Sequence, residues 1–169
     1  MNLLDRLRGG DLRSTGEADE VVAALEKAPA RFAEVFAGLR DADPVVRARA
    51  SDVIEKVTRR LPGLLSRYKK PLVSMLRSSE QQEVCWHLAQ MMPRLALSAR
   101  EQDAVVAELK RYLTADSRIV RVSALDALAR IAAAHDRFRS EVQDIVMDQS
   151  KTGSPAVKAR GRKLLKLLT

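Results

Sequence analysis

The sequence predicts an all-α protein: an α-solenoid, or alpha-alpha superhelix, of about four helical hairpins with an extra N-terminal helix. The first observation is a period, because valines at 46, 84, 120 and 157 are separated by 38, 36 and 37 residues. A fixed interval in this range is typical of stacked supersecondary units. The second is composition. Apolar residues make up 46% of the 169 residues and aromatic residues 4%, and residues that favour helix dominate. The third is that no strand-like alternation of apolar and polar residues occurs.

The first residues, 1–16, are predicted to form a short helix and a loop that begins at Gly9 and Gly10. The stretch from Ser14 to Glu17 resembles a capping box, so a helix is expected to begin at about Glu17. Pro29 is expected to end that helix and open the next, because proline suits the first helical turn.

Residues 17–169 are expected to form one solenoid domain whose hairpins cover about 29–60, 62–96, 98–135 and 137–168. Caps support these bounds: Asp43 and Ser154 each precede a proline, and Ser98-x-x-Glu101 is a capping box. Pro71 lies inside a helical apolar stripe, so a kinked single helix is expected there.

The second helices of the hairpins are expected to share a core. Apolar residues at 46, 50, 53, 54 and 57 cluster on one helix face. The repeat offsets carry this set onto apolar or small residues in each later unit. The predicted core positions are Val46, Ala50, Val53, Ile54, Val57; Val84, Leu88, Met91, Met92, Leu95; Val120, Ala124, Ala127, Leu128, Ile131; and Val157, Gly161, Leu164, Leu165, Leu168.

Composition also limits the class of protein. The single cysteine, Cys85, cannot form an internal disulfide, which favours a reducing compartment such as the cytoplasm. No apolar run reaches the roughly 20 residues that a membrane span needs, and the first residues do not resemble a secretory signal. The net charge is +8, and residues 45–72 and 151–169 contribute +6 each. These two segments predict a surface that attracts anions.

Two segments carry a resemblance to a known family. Leu39-x-Asp41-x-x-Pro44-x-Val46-Arg47-x-x-Ala50-x-x-Val53-Ile54 resembles a HEAT repeat unit, and residues 113–128 resemble a second one. The similarity covers roughly residues 29–168, and the whole chain is similar to small bacterial HEAT-repeat proteins of no established activity. The resemblance implies an armadillo-like solenoid whose second helices line a concave surface. The Asp-to-Arg spacing typical of the family is complete only at Asp41 and Arg47.

The repeat offsets place basic residues in two neighbouring columns of the second helices. Arg49, His87, Ser123 and Arg160 fall in one column, and Lys56, Arg94 and Arg130 fall in the other. By the resemblance, these columns form a basic ridge on the concave surface, where several cations would act together on an anionic partner. The alternative is an ordinary solvated helix face. The predicted partner-binding residues are Arg49, Lys56, Arg60, Trp86, His87, Arg94, Arg130 and Arg160.

Trp86 and His87 are the most distinctive single residues. An exposed Trp86 beside cations would suit a binding hot spot, whereas a rotated helix would bury it. Cys85-x-His87 provides too few ligands for a metal site, and no cofactor is expected. A lone histidine is a weak candidate for catalysis, since no phosphate loop or nucleophile motif accompanies it.

The sequence therefore favours a non-catalytic interaction module that binds an acidic protein segment. Nucleic-acid binding by the same ridge is the main alternative. A DNA glycosylase of the HEAT-like alkylpurine type is disfavoured, because a second aromatic residue is missing from the columns, and nothing specific supports a phycobilisome-type chromophore lyase. The C-terminal leucines, including Leu167, lack a polar cap, which predicts that the last helix packs on another chain, as a homodimer, or on the tail of the same array.

Overall fold

The computed structural model describes residues 2–152 and 155–169, and within them it is all-helical, with no strand. This confirms the predicted all-α class. The α-helices pack against one another. Short 3₁₀ turns lie before the first α-helix and between several of the others, at Asp5–Leu7, Pro29–Arg31, Gly38–Arg40, Pro62–Tyr68, Met92–Arg94 and Asp136–Phe138. The α-helices of the described residues are α1 (Ala18–Lys27), α2 (Phe32–Ala37), α3 (Pro44–Arg60), α4 (Lys69–Ser78), α5 (Gln82–Met91), α6 (Ala99–Tyr112), α7 (Arg118–Ala134), α8 (Arg139–Thr152) and α9 (Pro155–Leu168).

The chain divides into two compact units, an N-terminal unit, Met1–Ala96, and a C-terminal unit, Leu97–Thr169. In the N-terminal unit α3 packs against α1, α2 and α5, and α4 packs against α5. In the C-terminal unit α7 packs against α6, α8 and α9, and α8 packs against α9. Each unit therefore has one central helix, α3 or α7.

The periodic valines occupy the same place in four helices. Val46, Val84, Val120 and Val157 are each the third residue of α3, α5, α7 and α9. The first three are buried, and Val157 is half-buried. Of the other predicted core positions only Leu165 is also half-buried, so burial of the aligned sets is otherwise confirmed.

The residue after each of the first three valines binds backbone in the loop that precedes its helix. Arg47 Nη1 donates to the carbonyls of Asp41 and Ala42 at 2.8 and 2.9 Å. Arg121 Nη1 donates to the carbonyls of Ala115 and Asp116, the second at 2.9 Å. The thiol of Cys85 donates to the carbonyl of Ser79 at 3.2 Å. All three reach the carbonyl six residues earlier, so the repeat offset also relates equivalent hydrogen bonds.

Several local expectations are confirmed. The carboxylate of Asp43 accepts from the backbone N–H of Val45 at 2.8 Å and caps α3. Ser98 and Glu101 form the expected capping box of α6. The cap assigned to Ser154 lies outside the described residues. No helix of the described segments is long and apolar enough to cross a membrane.

Two local expectations are wrong. The capping box from Ser14 to Glu17 does not form, because the Ser14 hydroxyl accepts instead from the Gly16 N–H, at 3.1 Å, within the loop. The kinked helix around Pro71 is also absent. Residues 62–68 form a 3₁₀ turn, and α4 begins at Lys69. Pro71 then lies in the first turn of α4, where its missing N–H costs no helical bond.

Candidate interaction surfaces

Arg49, the first residue of the predicted basic row, is buried, and the expectation that it faces solvent is wrong. Its guanidinium reaches into the N-terminal loop (residues 8–17) and the end of the preceding 3₁₀ turn. The loop wraps the guanidinium closely, since a Cβ added to Gly16 would lie 2.8 Å from Arg49 Cζ. The carbonyls that accept from Arg49 are those of Leu7 (2.9 Å), Gly9 (2.7 Å), Ser14 (3.1 Å), Asp11 (3.2 Å) and Arg8 (3.5 Å).

In the N-terminal unit, Asp52 of α3 joins two residues of the predicted row. Its carboxylate pairs with Lys56, one turn further along α3, at 2.8 Å. The same carboxylate lies 3.5 Å from Nε2 of His87 on α5. Lys56 also pairs with Asp19 of α1 at 2.8 Å. Lys56 is therefore held by two carboxylates of its own unit.

In the C-terminal unit, Asp126 of α7 repeats this arrangement. Its carboxylate pairs with Arg130, one turn further along α7, at 2.8 Å, and with Arg160 of α9. Asp126, Arg130 and Arg160 stand at the same repeat positions as Asp52, Lys56 and His87. In each unit, one aspartate of the central helix thus connects that helix to a neighbouring helix, which is α5 in the N-terminal unit and α9 in the C-terminal unit.

The remaining two cations of the row are also paired. Arg60 is exposed and pairs with Glu26 of α1 at 2.6 Å. Arg94 pairs with the buried carboxylate of Glu55 and donates to the Thr58 hydroxyl at 3.0 Å. Burial raises the pKa of Glu55, but its bonds to Arg59 and Arg94 outweigh burial, so the pKa of Glu55 lies below 4.5. The predicted row is thus largely occupied by intramolecular bonds.

Trp86 is half-buried and forms one wall of a pocket of about 200 Å³ in the N-terminal unit. Its indole Nε1–H donates to Nε2 of His87 at 2.9 Å. The pocket lies against the N-terminal loop and is lined by both apolar and charged side chains. These are Leu12, Arg13, Ser14, Thr15, Val45, Ala48, Arg49, Asp52, Glu83, Trp86 and His87.

Beside this pocket, Ser51, His87 and Asp52 come together in the residue types of a serine hydrolase triad. Ser51 Oγ lies 2.9 Å from His87 Nδ1. However, Ser51 is fully buried, its Oγ donates to the Ala48 carbonyl at 2.7 Å, and Nε2 of His87 accepts from Trp86. A nucleophile needs an accessible oxygen and a base that takes its proton. The group therefore acts as a structural hydrogen-bond chain rather than as a catalytic one.

The electrostatics of Asp52 support an ionised carboxylate in this chain. Burial raises the pKa of Asp52, but the nearby His87 ring and Lys56 ammonium outweigh burial, so the pKa of Asp52 lies below its ordinary value. A charged Asp52 thus persists beside His87 at neutral pH.

Helix α9 carries the densest group of cations that lack a carboxylate partner among the described residues. Lys158, Arg162, Lys163 and Lys166 are exposed, and none of them pairs with a carboxylate of the described chain. At 100° per residue they cover about 140° of the helix surface. We call this surface the α9 basic face. By contrast, most cations of residues 45–72 have polar partners, and only Arg67 and Lys70 remain without one.

The sequence indicated the basic segment at 151–169, but none of these four residues was among the predicted partner-binding residues. The available signal was the absence of any acidic residue from 151 to 169. The ion pairs of Asp52 and Asp126 were not predicted, although their signal is an Asp four residues before a cation at matching repeat positions. Among the described residues, no three His, Cys, Asp or Glu side chains converge as a metal site requires.

Comparison with models of known protein families and with curated proteins gives no match to this chain.

Proposed function

We propose that this protein is a non-catalytic interaction module, a HEAT-like α-solenoid, that binds an acidic protein segment through the α9 basic face. The observation that carries the proposal is the contrast between the two basic segments. Cations that already hold a carboxylate or a carbonyl attract a partner less than cations that have none. The four residues of the α9 basic face belong to the second kind, whereas Arg60 and Arg130 contribute less because each holds a carboxylate.

The geometry of α9 favours an acidic protein segment. Lys158, Arg162 and Lys166 follow one another at four-residue spacing, which places them about 6 Å apart along the helix axis. Alternate side chains of an extended peptide are spaced by a similar distance, about 6.8 Å. No aromatic residue occurs from 155 to 169, so α9 offers no platform on which single-stranded bases would stack.

Binding of an oligo-glutamate peptide, measured by fluorescence anisotropy, tests the proposal. Replacing the four α9 cations by Gln removes four exposed charges, each of which contributes about 0.2–1 kcal/mol. The dissociation constant should rise roughly 10- to 100-fold. The matched control, Arg67→Gln with Lys70→Gln, removes two exposed cations of the N-terminal unit and should leave the affinity nearly unchanged. Equal affinity of the wild type and the α9 variant would refute the assignment.

Duplex DNA is the competing ligand in the same assay. A nucleic-acid site would give tighter binding to DNA than to the peptide at equal ionic strength, with a steep loss of affinity as salt is raised. That outcome, together with loss of DNA binding in the α9 variant, would contradict an acidic protein segment as the partner.

We also propose the homodimer through α9. Leu164 and Leu168 are buried within the C-terminal unit and Leu165 is half-buried, whereas Leu167 is 46% exposed. Leu167 is thus the leucine available to a second copy. Light scattering of the wild type and Leu167→Glu should give a dimer and a monomer, respectively, and a monomeric wild type would remove the idea.

A further inference from the structure

We propose that His87 is a pH-dependent switch for Trp86. The uncharged imidazole holds the indole of Trp86. The protonated imidazole binds Asp52 instead and releases the indole. Histidine is the side chain that ordinarily changes its charge between pH 5 and 8. The switch would lie in the N-terminal unit, at the wall of the pocket that Trp86 lines.

The hydrogen bonds of His87 assign a different role to each ring nitrogen. Nε2 accepts from the indole Nε1–H of Trp86, which requires Nε2 to carry no proton. Nδ1 therefore carries the proton in the uncharged ring and donates to Ser51 Oγ, which in turn donates to the Ala48 carbonyl. A second proton can bind only at Nε2, the atom that holds Trp86.

The protonated ring has a new acceptor at hand. Asp52 Oδ1 lies 3.5 Å from Nε2, so a proton at Nε2 converts this approach into a charge-assisted hydrogen bond. The same proton removes the acceptor of the Trp86 indole. The bond between Nδ1 and Ser51 persists in both states, so the ring keeps one anchor while its other nitrogen changes partner.

The C-terminal unit shows what a permanent cation does at the equivalent repeat position. There the position of His87 is occupied by Arg160, and Arg160 pairs with Asp126, the equivalent of Asp52. His87 is the titratable member of this pair of positions. Protonation would therefore give the N-terminal unit the counterpart of the ion pair between Arg160 and Asp126 in the C-terminal unit.

Charged groups on all neighbouring elements act on this equilibrium. Asp52 of α3 and Glu83 of α5 favour the protonated ring. Arg49 of α3 and Arg13 of the N-terminal loop, which line the same pocket, oppose it. Lys56 also opposes it, through its ion pair with Asp52 at 2.8 Å. The carboxylate of Asp52 lies within 4.0 Å of the ring. The proton at Nε2 of His87 is therefore donated to Asp52.

Release of the indole would alter the pocket. Trp86 is half-buried beside a space of about 200 Å³, lined in part by Leu12, Val45 and Ala48. An indole that has lost its acceptor is free to turn into this space or toward water, where its N–H finds a new partner. The shape of the pocket would then depend on pH.

Nuclear magnetic resonance tests the switch directly, because the chain has a single tryptophan and hence one indole N–H signal. In ¹⁵N-labelled wild type titrated from pH 8 to pH 5, the indole signal should shift. Its midpoint should equal the midpoint of the His87 imidazole signals in the same sample. His87→Gln should abolish the shift, whereas the control His135→Gln, in the C-terminal unit, should retain it.

Three results would overturn the proposal. They are a stationary indole signal in the wild type, an equal shift in His87→Gln, and different midpoints for the indole and the imidazole. The comparison of midpoints needs no variant, so the proposal stays testable even where His87→Gln fails to fold.

Discussion

Arg49→Met should release the N-terminal loop while leaving the helical core folded. Arg49 is 5% exposed and donates to five backbone carbonyls, four of them at 2.7–3.2 Å. Methionine keeps much of the side-chain volume and removes every one of these bonds. Because the loop carries no helix of its own, the guanidinium is its main anchor to α3.

The free energy that loop closure loses in Arg49→Met depends on which of these carbonyls water can reach. A hydrogen bond from a charged donor contributes about 1.5–3 kcal/mol. The bond to Leu7 is buried, whereas Gly9, Asp11 and Ser14 lie in an exposed loop whose carbonyls hydrate when it opens. We therefore expect a net loss of about 2–4 kcal/mol for loop closure, rather than the sum of all the bonds. At 1.36 kcal/mol per tenfold, the loop should open roughly 30- to 1000-fold more often.

Amide hydrogen exchange over residues 8–17 measures this opening, and trypsin cleavage after Arg13 at low protease concentration provides a second readout. Arg49→Lys should be intermediate, because an ammonium group has three donors at one point and cannot span the loop as a guanidinium does. Arg60→Met, which removes an exposed ion pair with Glu26, is the matched control. Equal exchange in Arg49→Met and the wild type would refute the role of Arg49 as the anchor of the loop.

The remaining predictions concern stability in each unit. Glu55→Gln should lower the free energy of unfolding at pH 7 by about 3 kcal/mol, because it leaves the cations of a buried carboxylate unpaired; a loss below 1 kcal/mol in urea titration would contradict this. Since folding lowers the pKa of Glu55, its stabilising effect is present above pH 4.5 and is lost as pH falls below that value. The free energy of unfolding of Glu55→Gln should therefore fall less steeply in acid than that of the wild type. Gly161→Ala should destabilise the C-terminal unit by about 1–3 kcal/mol, because its Cβ would overlap the Ser150 hydroxyl. Adding Ser150→Gly should recover part of that loss, and additive losses in thermal melts would exclude the clash. Asp126→Asn should lower the melting temperature more than Asp116→Asn, because Asp126 holds Arg130 and Arg160 together.

The sequence was sufficient to predict the helices and much of the core. The period of the valines predicted equivalent positions, and the structure places all four at the third residue of a helix. Local chemistry sets such features, because the cap at Asp43 and the capping box at Ser98 need only neighbours in the chain. The expectation at Pro71 failed because an apolar stripe cannot distinguish a kinked α-helix from a 3₁₀ turn followed by an α-helix.

The sequence named the cations of the predicted row but could not give their partners. An Asp at 52 and a Lys at 56 are one helical turn apart, and that pair is readable from the chain. The contacts of Arg49 with the N-terminal loop, of His87 with Asp52 and of Arg160 with Asp126 join residues 34 to 42 positions apart. Only packing of one element on another creates them.

By itself, then, the amino-acid order determined which segments are helical, which faces are apolar and where positive charge accumulates, since each of these depends on near neighbours. The tertiary structure alone decided which cations bind carboxylates or carbonyls of the chain and which have no such partner among the described residues. Charge is a property of a residue, whereas availability of that charge depends on the carboxylates and carbonyls that folding brings within reach of it.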